Sequence, residues 1–178
     1  MFIEIARKRR SIKQFASQQV EQEKIDAIME AALRAPSGRA VRPWEFVVVT
    51  DKKLLENLSV AKPGGAQFLK EAPVAIVVCA DSSKSHLWIE DCSIVAVSMQ
   101  YAAHSMELGS RWCQIRGANY NDSTSSRNYI AGLLDLPDNL DIECIIALGY
   151  PGEDKAPYKK EDLHFQKVSY DRFGQKYL

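Results

Sequence analysis

Apolar residues recur at both helical and strand spacing along this 178-residue chain and predict a mixed fold. Between positions 21 and 35 they return every three or four residues, which predicts an amphipathic helix that Pro36 ends. The continuous apolar runs VAIVVCA (74–80) and IECIIAL (142–148) predict buried strands, and the β-branched run WEFVVVT (44–50) predicts another. Because the run at 74–80 has no polar position, we expect that strand to be central.

The segment from 88 to 108 predicts a long buried helix, with Gly109 as a plausible C-cap. More than one face of this helix is apolar, so it is either the spine of the domain or a subunit interface. Shorter elements are a helix capped by Asp51, a strand near 112–115 and a helix around 129–134.

Helices and strands do not alternate in a regular βαβ order, and no G-x-G-x-x-G follows a strand. The pattern therefore predicts an α+β sandwich, a sheet covered by helices, rather than a Rossmann domain or a P-loop fold. The length fits a single domain over 1–178. Glycine, proline and charge dominate from Tyr150 onward, which predicts a C-terminal extension, 150–178, that docks to become ordered.

Composition excludes several function classes. The chain is 46% hydrophobic and 26% charged, and its 23 basic residues balance 23 acidic ones. A neutral chain has no global field for nucleic acid or an anionic membrane, so we expect neither as a partner. The apolar segment at 88–109 carries too many polar groups for a free membrane span, and no export signal is recognisable, so we expect a cytoplasmic protein. The four cysteines are widely spaced, which predicts neither a disulfide nor a metal site.

The run from Arg7 to Lys13 concentrates five cations and a hydroxyl in seven positions of this neutral chain. Guanidinium groups bind phosphate oxygens bidentately, so the cluster suits a phosphate-bearing ligand. Taken alone, the same run is equally typical of a solvated basic helix end or of an arm for nucleic acid.

Three further segments carry candidate chemistry. The segment 35–44 (APSGRAVRPW) ends a helix with a turn that exposes backbone N–H groups and a hydroxyl. The segment 107–117 (ELGSRWCQIRG) joins a helix to a strand, and the segment 147–153 (ALGYPGE) precedes several lysines.

In this order and spacing, the four segments resemble the FMN-dependent nitroreductase family. The family's opening motif matches RRSIKQF at 9–15, and its Ala-Pro-Ser turn leading to Pro-Trp and an apolar strand matches 35–49. Its Leu-Gly-x-x-Trp matches 108–112, and its Leu-Gly-Tyr-Pro matches 148–151. The resemblance covers nearly the whole chain and implies the nitroreductase-like fold, with a central, mainly antiparallel sheet and a C-terminal arm.

The resemblance also implies an obligate homodimer with FMN at the interface, each cofactor touched by both subunits. Arg9, Arg10 and Ser11 would hold the phosphate and ribityl end, and Lys13 would approach the pyrimidine edge, where a cation eases reduction of the flavin. The remaining implied cofactor-binding residues are the turn Pro36, Ser37, Gly38 and Arg39 of the other subunit, the backbone of Arg116 and Gly117 near N5, and either Lys159 or Lys160 at the phosphate.

In this family NAD(P)H reduces the flavin, which then reduces nitroaromatic, quinone or related acceptors in a ping-pong cycle. Positioning and electrostatics suffice for that chemistry, so no catalytic side chain is predicted. The chain departs from the family at Ala40 and Arg42, where amide side chains are common, and at Glu107 and Arg111. Two other interpretations stay open: a flavin-binding storage or redox-sensing protein with little turnover, and a non-flavin domain that binds an acidic partner.

Overall fold

A computed structural model describes residues 1–177, which form five α-helices, four β-strands and several short 3-10 turns. In chain order the elements are α1 (Phe2–Lys8), α2 (Gln22–Leu33), β1 (Trp44–Val49), α3 (Lys52–Leu58), β2 (Val74–Asp81), α4 (Trp88–Ser105), β3 (Gly109–Gln114), α5 (Ser126–Leu134) and β4 (Leu140–Gly149).

The four strands form one sheet in the order β1-β2-β4-β3, and every neighbouring pair is antiparallel. All eight residues of β2 are buried, and β2 lies beside β4 in the middle of the sheet. The predicted α+β class, antiparallel sheet and central 74–80 strand are therefore confirmed.

Helices cover both faces of the sheet and create two apolar cores. On one face, α2 and α4 pack on alternate residues of β2 and β4, around Ile76, Ile146 and Met99. On the other, α3, α5 and the 3-10 turn Gln67–Lys70 enclose the opposite residues, among them Val77 and Ile145. The alternation of β2 between the two cores explains why its sequence is apolar throughout.

The prediction that Gly109 caps α4 is wrong. The helix ends at Ser105, and Glu107 adopts the left-handed conformation, with φ of 67°. Leu108 N–H then donates to the carbonyl of Ala103, which closes the helix end. Gly109 instead begins β3, where a Cβ would lie 2.7 Å from Cγ1 of Ile12. Close packing against a neighbouring chain segment, and not helix capping, requires this glycine.

Other boundaries differ modestly from the predictions. The helix predicted over 21–35 spans Gln22–Leu33. The strand predicted near 112–115 begins earlier, because Gly109 to Gln114 all pair with β4. Asp51 does cap α3, with its carboxylate accepting from the N–H of Leu54 at 2.8 Å.

Candidate functional site

The basic run leaves α1 and continues in extended conformation along the sheet. Arg9 is the C-cap of α1 with extended φ and ψ, so the helix ends within the basic run, and only Arg7 and Lys8 belong to its last turn. Ser11 forms a parallel bridge with Ser110 of β3, and Ile12 N–H donates to the Ser110 carbonyl at 3.0 Å. The cations from Arg9 to Lys13 therefore lie against the edge of the sheet, whereas Arg7 and Lys8 form an exposed basic helix end.

The start of the C-terminal extension pairs with the same segment. Gly152 N–H donates to the Gln14 carbonyl at 2.9 Å, and Ala16 N–H donates to the Tyr150 carbonyl at 2.9 Å. The Glu153 carboxylate accepts from the backbone N–H groups of Lys13 and Gln14. These contacts hold the backbone of the basic run between β3 and the extension.

This pairing brings a further lysine into the cluster. Lys155 donates from Nζ to the Ser11 carbonyl at 2.9 Å and lies 3.2 Å from Oε1 of Glu153. A cavity of about 380 Å³ opens here, which we call the basic pocket. Its lining residues are Arg9, Arg10, Ser11, Lys13, Lys155 and Tyr158.

The two arginines of the basic pocket differ in how they are satisfied. Arg10 donates from Nη1 to the Ala156 carbonyl, and its guanidinium lies 4.2 Å from the centre of the Tyr158 ring. Arg9 Nη1 is buried and has no hydrogen-bond acceptor among residues 1–177. An unsatisfied buried donor on a cation is costly unless an anion binds it, so these residues fit a phosphate group.

The lysines expected to reach the phosphate lie elsewhere. Lys159 and Lys160 are exposed, and neither lines the basic pocket, whereas Lys155 does. The resemblance left Lys159 and Lys160 as alternatives and did not include Lys155. The choice depends on the pairing of 150–153 with 14–16, which has no local signal.

A second cavity, of about 330 Å³, adjoins the basic pocket and shares Arg10 and Lys155 with it. His104 and Glu107 are among its lining residues. Burial lowers the pKa of His104, and the positive charges of Arg9 and Lys8 lower it further. The two charged departures from the family pattern lie in different places. Glu107 lines this second cavity, whereas the guanidinium of Arg111 packs 4.3 Å from the Phe68 ring centre.

The turn Pro36–Arg39 is fixed by the first turn of α4. Gly38 N–H donates to Oδ1 of Asp91 at 2.8 Å, and Asp91 is buried. Gly38 also approaches Leu87 closely, since a Cβ would lie 2.6 Å from Leu87 Cδ1. The Ser37 hydroxyl accepts from the N–H of Arg42 at 3.0 Å, and Arg39 adopts φ of 52°.

The segment Arg116–Gly117 follows β3 and is held by β4. The N–H groups of Ile115 and Arg116 both donate to the Glu143 carbonyl at 3.1 Å. Gly117, with φ of 74°, is exposed. Neither this segment nor the Pro36–Arg39 turn lines the basic pocket of the same chain.

An apolar groove of about 690 Å³ runs between α1, α2 and α4. Phe2, Ile94 and Val97 line it with exposed side chains, and the Phe2 ring packs edge-on against Tyr101 at 4.9 Å. The opposite face of α4 is buried in the core, so both alternatives offered for this helix have support: it is the spine, and its outer face is an open apolar surface.

The four cysteines are buried and free. Burial raises the pKa of Cys79 and Cys92 to about 12 and that of Cys113 to about 11, and it raises the pKa of Cys144 as well. Thiols in that state are poor nucleophiles, so none is a candidate catalytic residue.

Residues 1–177 contain no group of three or more histidine, cysteine, aspartate or glutamate side chains that could hold a metal ion. Over the same residues, no helix has the length and apolar character needed to cross a bilayer.

Comparison with known proteins gives consistent matches. The chain is 46% identical to an FMN-dependent nitroreductase from Clostridium difficile of known structure, with a TM-score of 0.94 over 96% of this chain and 99% of that one. It is 35% identical to a Methanothermobacter thermautotrophicus protein provisionally named NADH dehydrogenase/NAD(P)H nitroreductase, over 93% of this chain and 86% of the other. A Thermus thermophilus NADH dehydrogenase is 29% identical over 85% of this chain and 87% of its own.

The model of the Nitroreductase family matches residues 6–63 and 59–150. The matched region includes the basic run, the turn before β1, the segment after β3 and the end of β4. The chain is therefore an oxidoreductase of the nitroreductase family.

Proposed function

We propose that this protein binds FMN and takes hydride from NAD(P)H to reduce nitroaromatic, quinone or related electrophilic acceptors. The observation that carries the proposal is the basic pocket, in which Arg9 Nη1 is buried without an acceptor among the described residues. The FMN dependence stated for the Clostridium difficile relative supports the same ligand.

Within this proposal, Arg9, Arg10 and Ser11 bind the phosphate and ribityl end of FMN. Lys155, rather than Lys159 or Lys160, is the lysine of the C-terminal extension that binds the phosphate, because Lys155 lines the basic pocket. Lys13 lines the same pocket and supplies positive charge to the pyrimidine edge. Tyr158 holds the Arg10 guanidinium in place through its ring.

A homodimer is part of the proposal. The turn Pro36–Arg39 does not line the basic pocket of its own chain, which fits a role at the cofactor of a second copy. The apolar groove over α4 supports the same arrangement, because an exposed apolar surface of this kind favours association. Exposed Tyr170 and Phe173 suit an arm that packs on the partner.

The residues of the basic pocket would hold FMN, which when bound would supply hydride transfer between NAD(P)H and an acceptor that takes the place of the nicotinamide, the order that gives ping-pong kinetics. The protein's own groups bind and orient the reactants and tune the charge around them. A cytoplasmic location belongs to the proposal, since the reductant is a nicotinamide.

Colour and reduction test the proposal directly. The purified protein should be yellow, with an absorbance maximum at about 450 nm, and anaerobic mixing with NADH or NADPH should bleach it. Addition of a quinone or nitroaromatic should restore the colour, and initial rates should give parallel double-reciprocal lines. A colourless protein that cannot be reconstituted with FMN would refute the proposal and favour a non-flavin interaction domain.

A storage or redox-sensing protein of the same fold is the second candidate. It is favoured by Ala40, which offers no side-chain hydrogen bond in a turn where Arg39, Ala40 and Arg42 all have positive φ. Bleaching by NAD(P)H with no acceptor that restores the colour would identify this alternative.

A further inference from the structure

Glu143 is an unusual residue for its position. It lies in β4, whose residues from Ile142 to Gly149 are all buried, and only 4% of its side chain is exposed. The pairing of β2 with β4 shifts at this point: Val78 pairs with Cys144 and Cys79 with Ile142, so Glu143 has no partner in β2. Such a bulge redirects a side chain, and here it directs a buried carboxylate.

Both oxygens of the redirected carboxylate accept hydrogen bonds from the end of β3 and the segment that follows it. Oε2 accepts from Nε of Arg116 at 2.8 Å, and Oε1 accepts from Nε2 of Gln114 at 3.2 Å. The Glu143 carbonyl accepts from the backbone N–H of Arg116 as well. Side chain and main chain of Glu143 therefore hold Arg116 at two points, and the side chain also holds Gln114.

The hydrogen bonds around residue 143 require a side chain that accepts and does not donate. The indole N–H of Trp112 can only donate, and it donates to Oε1 of Gln114 at 2.9 Å. This bond turns the amide of Gln114 so that its NH₂ faces Glu143. With donors from Gln114 and Arg116 on either side, a glutamine at 143 would place its own NH₂ against one of them.

We propose that Glu143 is a positioning residue that sets the geometry of the Arg116–Gly117 backbone beside the flavin. The inference rests on the proposed function, because the placement of this segment near flavin N5 comes from the family resemblance. Glu143 acts through Arg116 and does not itself contact the cofactor. Burying a carboxylate at a bulge is costly, because the guanidinium that pairs with it is itself half exposed, and the position of the pair at this segment gives a functional reason for it.

The test compares wild type with Glu143→Gln, which keeps size and removes charge. Reduction of bound FMN by saturating NAD(P)H should slow about tenfold, the effect of losing one preorganised hydrogen bond. The dissociation constant for FMN should change less than about threefold, since the basic pocket is untouched. In the FMN-free protein, the Trp112 indole N–H resonance should move, because its acceptor is in the same network.

Two further variants separate positioning from general destabilisation. Trp112→Phe removes only the indole donor to Gln114, whose Nε2 still donates to the carbonyls of Glu143 and Arg116, so this variant should keep most of the wild-type reduction rate. Ile130→Val removes a methylene from the core behind β4 and serves as the stability control. It should lower the melting temperature without slowing flavin reduction.

A reduction rate in Glu143→Gln equal to that of wild type would overturn the inference while leaving the proposed function intact. A loss of rate in Trp112→Phe as large as that in Glu143→Gln would also overturn it, since the contact of the Glu143 carboxylate with Arg116 is intact in Trp112→Phe. Wild-type protein that binds no FMN would overturn both proposals together.

Discussion

Replacement of Arg9 by methionine should change stability and FMN binding in opposite directions. Methionine keeps the length of the buried stem and removes the guanidinium, whose Nη1 is buried without an acceptor in residues 1–177. An unsatisfied buried donor costs about 1–3 kcal/mol, so the FMN-free variant should be as stable as wild type or more stable by up to that amount.

The same substitution removes charge-assisted hydrogen bonds to the phosphate, worth about 1.5–3 kcal/mol. The dissociation constant for FMN should therefore rise about 10- to 150-fold. Urea denaturation of the FMN-free protein measures the first effect, and quenching of flavin fluorescence measures the second. His104 gives an independent readout by NMR titration: because Arg9 contributes to its lowered pKa, that pKa should rise in the variant.

Arg7→Met is the matched control. Arg7 is exposed and pairs with Glu4 at 2.6 Å on α1, so its loss should cost about 1 kcal/mol or less and leave FMN affinity unchanged. Arg9→Met protein that is less stable without FMN, yet binds FMN as tightly as wild type, would show that Arg9 is a structural residue and would refute the phosphate assignment.

Three further predictions concern the surroundings of the site. Glu107→Gly should raise the free energy of unfolding by about 0.5–1 kcal/mol in urea denaturation, because Glu107 has φ of 67°, and a lower value would contradict the strain argument. Gly109→Ala should lower the free energy of unfolding by about 1–3 kcal/mol and weaken FMN binding, because the added Cβ would press on Ile12, between Ser11 and Lys13. Gly132→Ala is the control: the space around Gly132 is open, so this variant should not lower the free energy of unfolding. Because the raised thiol pKa values leave almost no thiolate at pH 8, all four cysteines should resist iodoacetamide in the native protein and react with it after unfolding. Fast labelling of the folded chain would contradict their burial.

Residues with local signals could be predicted from the sequence. The apolar run at 74–80 identified the central strand, since only a strand covered on both faces tolerates apolar residues throughout. Asp51 was recognisable as a cap, because capping involves residues three apart. Gly109 was misassigned because a glycine after an apolar helix usually ends it, whereas here a non-glycine residue, Glu107, occupies the left-handed position.

Features that depend on distant pairing could not be predicted. Lys155 reaches the basic pocket only because Gly152 and Glu153 bond to residues near 14, across almost the whole chain. Glu143 looked like a single charge in the apolar run IECIIAL. Its role depends on a shift in pairing with β2, which only the assembled sheet reveals.

The candidate site is rich in cations, but carboxylates fix the positions of its segments. Glu153 accepts from the backbone at Lys13, Asp91 accepts from Gly38, and Glu143 binds Arg116. Three of the segments that the resemblance implies at the flavin are thus fixed by a carboxylate from another element: the C-terminal extension, α4 or β4. None of these three carboxylates pairs with the Arg9 guanidinium, whose charge therefore remains available to an anion. A chain of zero net charge can in this way maintain a locally positive pocket.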